Sequence, residues 1–144
     1  DFGLKYYVGF KSARFGVSIR NFGTAVKYEE VSAQLPLVFV LGAAMDLMDF
    51  ASSEISENNS LLLTSDFYHP NNYTERISIG LEYGFMNTIY LRGGYQTNLD
   101  FGGLSAGIGL ASPSIFGVKG EFNYSFSQFD TFDNVNRFSF IFSF

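Results

Sequence analysis

RISIGLEYGF, residues 76–85, decides the fold. Ile77, Ile79, Leu81, Tyr83 and Phe85 fall on one side of an extended chain, and Arg76, Ser78, Gly80, Glu82 and Gly84 fall on the other. Successive side chains of a strand point to opposite faces, so this strict period of two marks a strand with two different surroundings. The same division recurs over residues 1–10, 15–20, 89–96, 104–111, 118–126 and 137–144. Phe2, Leu4, Tyr6, Val8 and Phe10 oppose Gly3, Lys5, Tyr7 and Gly9, and Phe138, Phe140, Phe142 and Phe144 oppose Arg137, Ser139, Ile141 and Ser143. Over the seven segments the first face holds 30 positions, 28 of them hydrophobic. The second face holds 28, only 4 of them hydrophobic. Residues 35–47, apolar on both faces apart from Asp46, and residues 60–68 add two less regular strands, about nine in all. No segment carries a capped 3.6-residue repeat.

Connections between these strands suit antiparallel neighbours. Met86-Asn87 and Ser112-Pro113-Ser114 are tight turns, and residues 21–34, 49–59, 69–75, 97–103 and 127–136 are longer polar loops. The 144 residues make a single domain with no linker and no low-complexity tract. Hydrophobic residues make up 47% and charged residues 16%, which excludes intrinsic disorder. The absence of Cys excludes a disulfide scaffold, and a net charge of −5 disfavours a general nucleic-acid binder. No apolar run approaches the ~18 residues that a membrane-crossing helix needs. The start at Asp1 is neither an initiator Met nor a signal peptide, so the chain is expected to be mature, processed or a fragment.

Two features set the solvent of the apolar face. The polar face is rich in glycine, at positions 3, 9, 16, 80, 84, 94, 107 and 109, where a water-facing strand favours Thr, Lys or Glu. Small residues fit the restricted interior of a barrel. The apolar face, by contrast, is too bulky to fill a narrow lumen but needs no fit against lipid. The expectation is therefore an all-β, antiparallel up-and-down transmembrane β-barrel in a bacterial outer membrane, its backbone bonds closed without water. With short turns inside and long loops outside, Asp1 begins on the extracellular side. An odd count of nine strands then implies a miscount or further strands before Asp1, because bacterial single-chain barrels have even strand numbers.

The polar face carries Lys5, Arg20, Asp46, Asp66, Arg76, Glu82, Arg92, Lys119, Glu121 and Arg137. One sign dominates in a selectivity ring. Mixed signs favour ion pairs that fill the lumen, and Glu82 and Arg92, flanking the Met86-Asn87 turn, are placed to pair across strands. No catalytic or metal cluster accompanies the single His69, no cofactor is expected, and a non-enzymatic role follows.

The chain's end, NRFSFIFSF, resembles the terminal strand of bacterial outer-membrane proteins, which implies that Phe140, Phe142 and Phe144 form a signal for the barrel-assembly machinery. Asp1-Phe2-Gly3-Leu4-Lys5-Tyr6, Gly16-Val17-Ser18-Ile19-Arg20-Asn21-Phe22-Gly23, Leu35-Pro36, Gly80-Leu81-Glu82-Tyr83, Leu91-Arg92-Gly93-Gly94-Tyr95 and Gly103-Leu104-Ser105-Ala106-Gly107-Ile108-Gly109 follow in order. That order is similar to the C-terminal part of PorV/PorQ-type proteins, relatives of the FadL long-chain fatty acid transporters. The resemblance covers nearly the whole chain, but the family's N-terminal strands and plug have no counterpart. It implies the C-terminal part of a barrel of about fourteen strands. It also implies transport, or a place in a type IX secretion or surface-attachment complex with other proteins of that machinery. The rival expectations are a small complete barrel of 8–10 strands displaying loops, and a lipid-modifying enzyme for which His69 offers weak support.

Overall fold

The computed structural model describes residues 1–22, 26–28, 31–33, 37–97, 103–112, 118–128 and 134–143. Its strands are β1 (Phe2–Tyr7), β2 (Arg14–Arg20), β3 (Val26–Tyr28), β4 (Val31–Ala33), β5 (Val38–Asp46), β6 (Asn59–Pro70), β7 (Arg76–Phe85), β8 (Ile89–Gln96), β9 (Leu104–Ala111), β10 (Lys119–Ser127) and β11 (Val135–Ser143). Nine of them form one antiparallel sheet in the order β1-β2-β5-β6-β7-β8-β9-β10-β11, and β3 and β4 form a separate two-stranded ribbon. Among the described residues helix is confined to a 3-10 turn, Leu47–Phe50, and a single α-turn, Ser53–Ser56. The all-β, up-and-down architecture expected from the alternation is thus present. The sheet is not closed: β1 and β11 are its two edges, and eight antiparallel steps leave them running in the same direction.

Register keeps the two faces separate through every pairing. Phe2 meets Ile19, Leu4 meets Val17, Leu41 meets Phe67, Leu63 meets Leu81, Tyr83 meets Leu91, Ile108 meets Tyr124 and Phe122 meets Phe140. A slip of one residue at any ladder would turn a whole strand over. From β2 to β10 the strand midpoints advance along the ladders by about one residue per neighbour, about 3.3 Å along for 4.8 Å across. That stagger inclines the strands by about 35°, the tilt that closed barrels require.

Local chemistry accounts for the departures at the element ends. Residues 8–10, read as strand from their alternation, leave the sheet. Gly9 (φ 78°) and Lys11 (φ 53°) turn the chain, Ala13 N–H donates to Phe10 O at 3.1 Å and Val8 N–H to Ala13 O at 3.1 Å. The strand expected over 35–47 starts at Val38 and stops at Asp46, whose carboxylate accepts Met48 N–H at 2.9 Å and caps the 3-10 turn. Residues 35–36, 113–114 and Phe144 lie outside the described residues. The tight turn at Met86-Asn87 forms as read: both have positive φ (51° and 52°) and Thr88 N–H donates to Phe85 O at 3.0 Å, a type I′ hairpin.

Among the described residues Val38 is the single buried hydrophobic side chain. Phe2, Phe138, Phe140 and Phe142 are each about two-thirds exposed, at 68%, 66%, 68% and 69%. The chain exposes 10663 Å², against about 7,400 Å² for a compact soluble monomer of its mass. One layer of sheet with apolar residues on its outer face accounts for the surplus.

Candidate functional site

The face opposite the apolar one carries every charged side chain that the nine-stranded sheet holds, and it is the candidate site. Glu82, Arg92, Gly107, Ser125 and Arg137 form a single cross-strand row, each opposite the next. Arg92 is the hub. Its Nε donates to Glu82 Oε2 at 2.5 Å and its Nη1 to Asn123 Oδ1 at 2.5 Å, while Nη2 lies 3.9 Å from Glu121 Oε1. Asn123 Nδ2 donates to Glu121 Oε1 at 2.9 Å, and the Arg92 guanidinium lies 5.5 Å from the Tyr90 ring centre. Glycine makes this possible. A Cβ on Gly109 would sit 2.7 Å from Asn123 Oδ1 and 3.0 Å from Arg92 Nη1, so the network lies flat on bare backbone. The expected Glu82–Arg92 pair forms, and it recruits Glu121.

The remaining predicted residues are dispersed. Lys5 Nζ lies 4.9 Å from the Tyr7 ring centre and the Arg76 guanidinium 4.3 Å from that of Tyr68. Arg20 ends β2, Lys119 opens β10 opposite Ser143, and Arg137 stands opposite Ser125. Asp66 stands opposite Gly42, where a Cβ would meet its Oδ1 at 2.6 Å. Asp46 is spent on the backbone, accepting Leu61 N–H at 3.0 Å as well as Met48 N–H. Phe140 and Phe142 lie on the apolar face, opposite Phe122 and Gly120. Sequence reasoning missed Arg14, which extends the inner alternation of Gly16, Ser18 and Arg20 backwards by one step and shares a hollow with Lys5 and Asp66. With Arg14 counted, the inner face of the sheet carries seven cations against four carboxylates, although the chain as a whole has a net charge of −5.

Beside the Arg92 row runs a row of small residues. Arg14, Ala44, Thr64, Gly80, Gly94, Ser105 and Ser127 stand opposite one another from β2 to β10. The row forms the floor of a groove across the charged face. It widens between β6 and β11 into a hollow of about 470 Å³ bounded by Ser78, Gln96, Gln128 and Arg137, and another of about 460 Å³ adjoins it beside Arg92 and Asn123.

At the end of the sheet that holds the Met86-Asn87 turn, the β1–β2 turn is latched to the 3-10 segment. Ser12 donates to Asp49 Oδ2 through its backbone N–H at 2.8 Å and through its hydroxyl, and that hydroxyl accepts Asp46 N–H at 2.7 Å. Lys11 Nζ donates to the Asp49 carbonyl at 2.8 Å. The Ser12 hydroxyl, then the Ser12 N–H, and more weakly the Lys11 charge, hold the Asp49 carboxyl below its ordinary value. At the opposite end His69 Nδ1 and Glu75 Oε1 are 2.9 Å apart, both half-exposed.

The outer face differs in kind. Its strand interiors carry aliphatic side chains such as Leu4, Val17, Leu41, Leu63, Leu81 and Leu91, and no Asp, Glu, Lys or Arg. Many of its aromatics stand near strand ends: Phe2, Phe15, Phe39, Phe67, Phe85, Tyr95, Phe126 and Phe142. No family model, curated protein or solved structure matches the chain.

Proposed function

We propose that this chain forms the wall of an outer-membrane β-barrel of PorV/FadL-like type, a non-enzymatic protein that acts in transport or as a component of a secretion or surface-attachment complex. The observation that carries the reading is the outer face. Large apolar side chains line it across all nine strands, they are unburied, and no charged side chain of the sheet interrupts them. Soluble monomers rarely expose contiguous apolar patches beyond a few hundred Å². Lipid covers such a face without any requirement for shape, and the aromatics at many strand ends suit the two membrane–water interfaces. The strand tilt of about 35° supports the same reading. Because β1 and β11 run in the same direction, an all-antiparallel barrel closes on an odd number of further strands, and about five complete a fourteen-stranded wall. The FadL-like assignment and its functional classes rest on the ordered motifs quoted above, and the barrel-assembly machinery is the partner implied by the terminal aromatics.

The test is electrophoresis of the native outer-membrane fraction with and without boiling. A band well above 16.1 kDa after boiling, migrating faster unboiled, is the expected result. The same shift at the mass of the chain itself refutes the fourteen-stranded form. Recovery of the protein in the soluble fraction refutes the membrane reading.

A further inference from the structure

We propose that the hollow between β6 and β11 binds a hydroxylated anion of sugar size, its carboxylate or phosphate on Arg137 and its hydroxyls on the surrounding serines and glutamines. The inference rests on the barrel reading, since only there does the inner face become an enclosed wall. The hollow is about 470 Å³, within the ~300–1,000 Å³ range of small-molecule sites. Across its floor the hydroxyls of Thr64 and Ser105 lie over Gly80 and Gly94, where a Cβ would meet them at 2.7 and 3.0 Å. Its hydrogen-bonding rim is Ser78, Ser105, Ser127, Gln96 and Gln128, and among the described residues Arg137 is the single charged one that lines it. A guanidinium with five donors, and no carboxylate among the described residues of its hollow, selects a planar or tetrahedral anion.

Of the four carboxylates on this face, Glu82 and Glu121 are held by Arg92 and Asn123, Asp46 is occupied by two backbone N–H groups, and Asp66, opposite Ser78, lines the separate hollow that holds Lys5 and Arg14. In the same cross-strand row Arg137 stands three strands from Arg92, about 14 Å at the spacing of neighbouring strands. Between them lie only Gly107 and Ser125, so neither Glu82 nor Glu121 is drawn away from Arg92. Seven cations against four carboxylates on this wall add a general attraction for anions, which the test must separate from the hollow itself.

The experiment titrates the intact protein, purified in an uncharged maltoside detergent, with glucuronate, with glucose 6-phosphate and with glucose, following the heat of binding by isothermal titration calorimetry. Saturable binding of one or both anions, at least about tenfold tighter than glucose, is expected. Arg137→Gln weakens it about tenfold and Arg137→Lys by less, while Lys119→Gln, which removes an inner-wall cation outside the hollow, leaves it within about twofold. Gly94→Val, which fills the floor without changing charge, also weakens it. Equal losses in Arg137→Gln and Lys119→Gln mean general attraction only and overturn the site, as does absence of saturation. Gel mobility of the same samples separates the two levels. A heat-modifiable barrel that binds nothing refutes the site alone, and a protein that shows no such shift removes the barrel and the site together.

Discussion

Leu81→Arg has opposite consequences in the two solvents that the outer face could meet. Leu81 lies in the interior of β7, between Leu63 of β6 and Gly93 of β8, and is 44% exposed in the isolated chain. If water covers this face, the exchange replaces an already exposed apolar side chain by a solvated one, and stability changes by no more than about 0.5 kcal/mol. If lipid covers it, a guanidinium sits near the bilayer midplane and costs about 2–4 kcal/mol. The cost must also depend on depth and face. Phe85→Arg, at the end of the same strand, costs about 1 kcal/mol or less in lipid beyond the lost ring contacts. Ser78→Arg, on the inner face and bordering the hollow of about 470 Å³, changes stability by about 0.5 kcal/mol or less because the guanidinium stays in water. Urea unfolding in dilauroylphosphatidylcholine vesicles, followed by far-ultraviolet circular dichroism and by gel mobility, reads all three variants. The order Leu81→Arg, then Phe85→Arg, then Ser78→Arg is expected. A neutral Leu81→Arg, or a Ser78→Arg as damaging as Leu81→Arg, refutes the assignment of lipid to the outer face.

Three further outcomes follow from particular contacts. In a double-mutant cycle, Arg92→Gln costs about 2 kcal/mol because it strips Glu82, Glu121 and Asn123 of a shared partner, Glu82→Gln costs about 1, and the pair together costs about 2, less than the sum. The values are held low because Arg92 remains 38% exposed and water screens it; additivity within 0.3–0.5 kcal/mol would falsify the network. Met86→Asn with Asn87→Gly relieves two positive-φ positions in the β7–β8 turn and raises the urea midpoint by the equivalent of about 0.5–1 kcal/mol at unchanged slope. The latch between Ser12 and Asp49 stabilises the anionic carboxylate, so its contribution is complete above the ordinary carboxyl value of 3.8 and is lost as pH falls through the lower value that Asp49 takes in the folded chain. Amide exchange at Ser12 should therefore accelerate only at pH values below the usual carboxylate range; unchanged protection down to pH 2, or the same acceleration in Asp49→Asn, counts against the latch.

How much of this was legible in the sequence depends on which property of a strand a residue reports. Facing is local: Ile77 and Ile79 lie on the same side of β7 whatever β7 pairs with, which is why the alternation located the apolar face, the Met86-Asn87 hairpin and the opposite face that holds the charged side chains. Strand ends are set by local competition. At Val8 and Phe10 the alternation persisted while Gly9 and Lys11 turned the chain, and at Asp46 the carboxylate, on the charged face, also caps the 3-10 turn. Arg14 was missed because the alternation was counted only from Phe15 and residues 11–14 were assigned to no element.

Level along the strands is the property that alternation cannot carry. A shift of two residues in any ladder preserves every facing and changes every neighbour, so the same periodic pattern is compatible with many sets of contacts. The Glu82–Arg92 pair escaped this ambiguity because a two-residue turn joins its strands and leaves a single register. Asn123 lies 31 residues from Arg92, and its arrival at that guanidinium needs the β8–β9 and β9–β10 registers at once. The hollow at Arg137 needs five ladders, from β6 to β11, each correct to the residue. What makes those registers definite is the steady advance of one residue per strand. A slip in one ladder would break the common tilt and push Arg92 off Gly107 and Gly109 onto a neighbour with a side chain. Gly80, Gly84, Gly94 and Gly109, which the sequence offered only as a sign of crowding, thus act as markers of level: each leaves bare backbone where a side chain from a neighbouring strand lies, from Thr64, Ser60, Ser105 and Asn123 in turn.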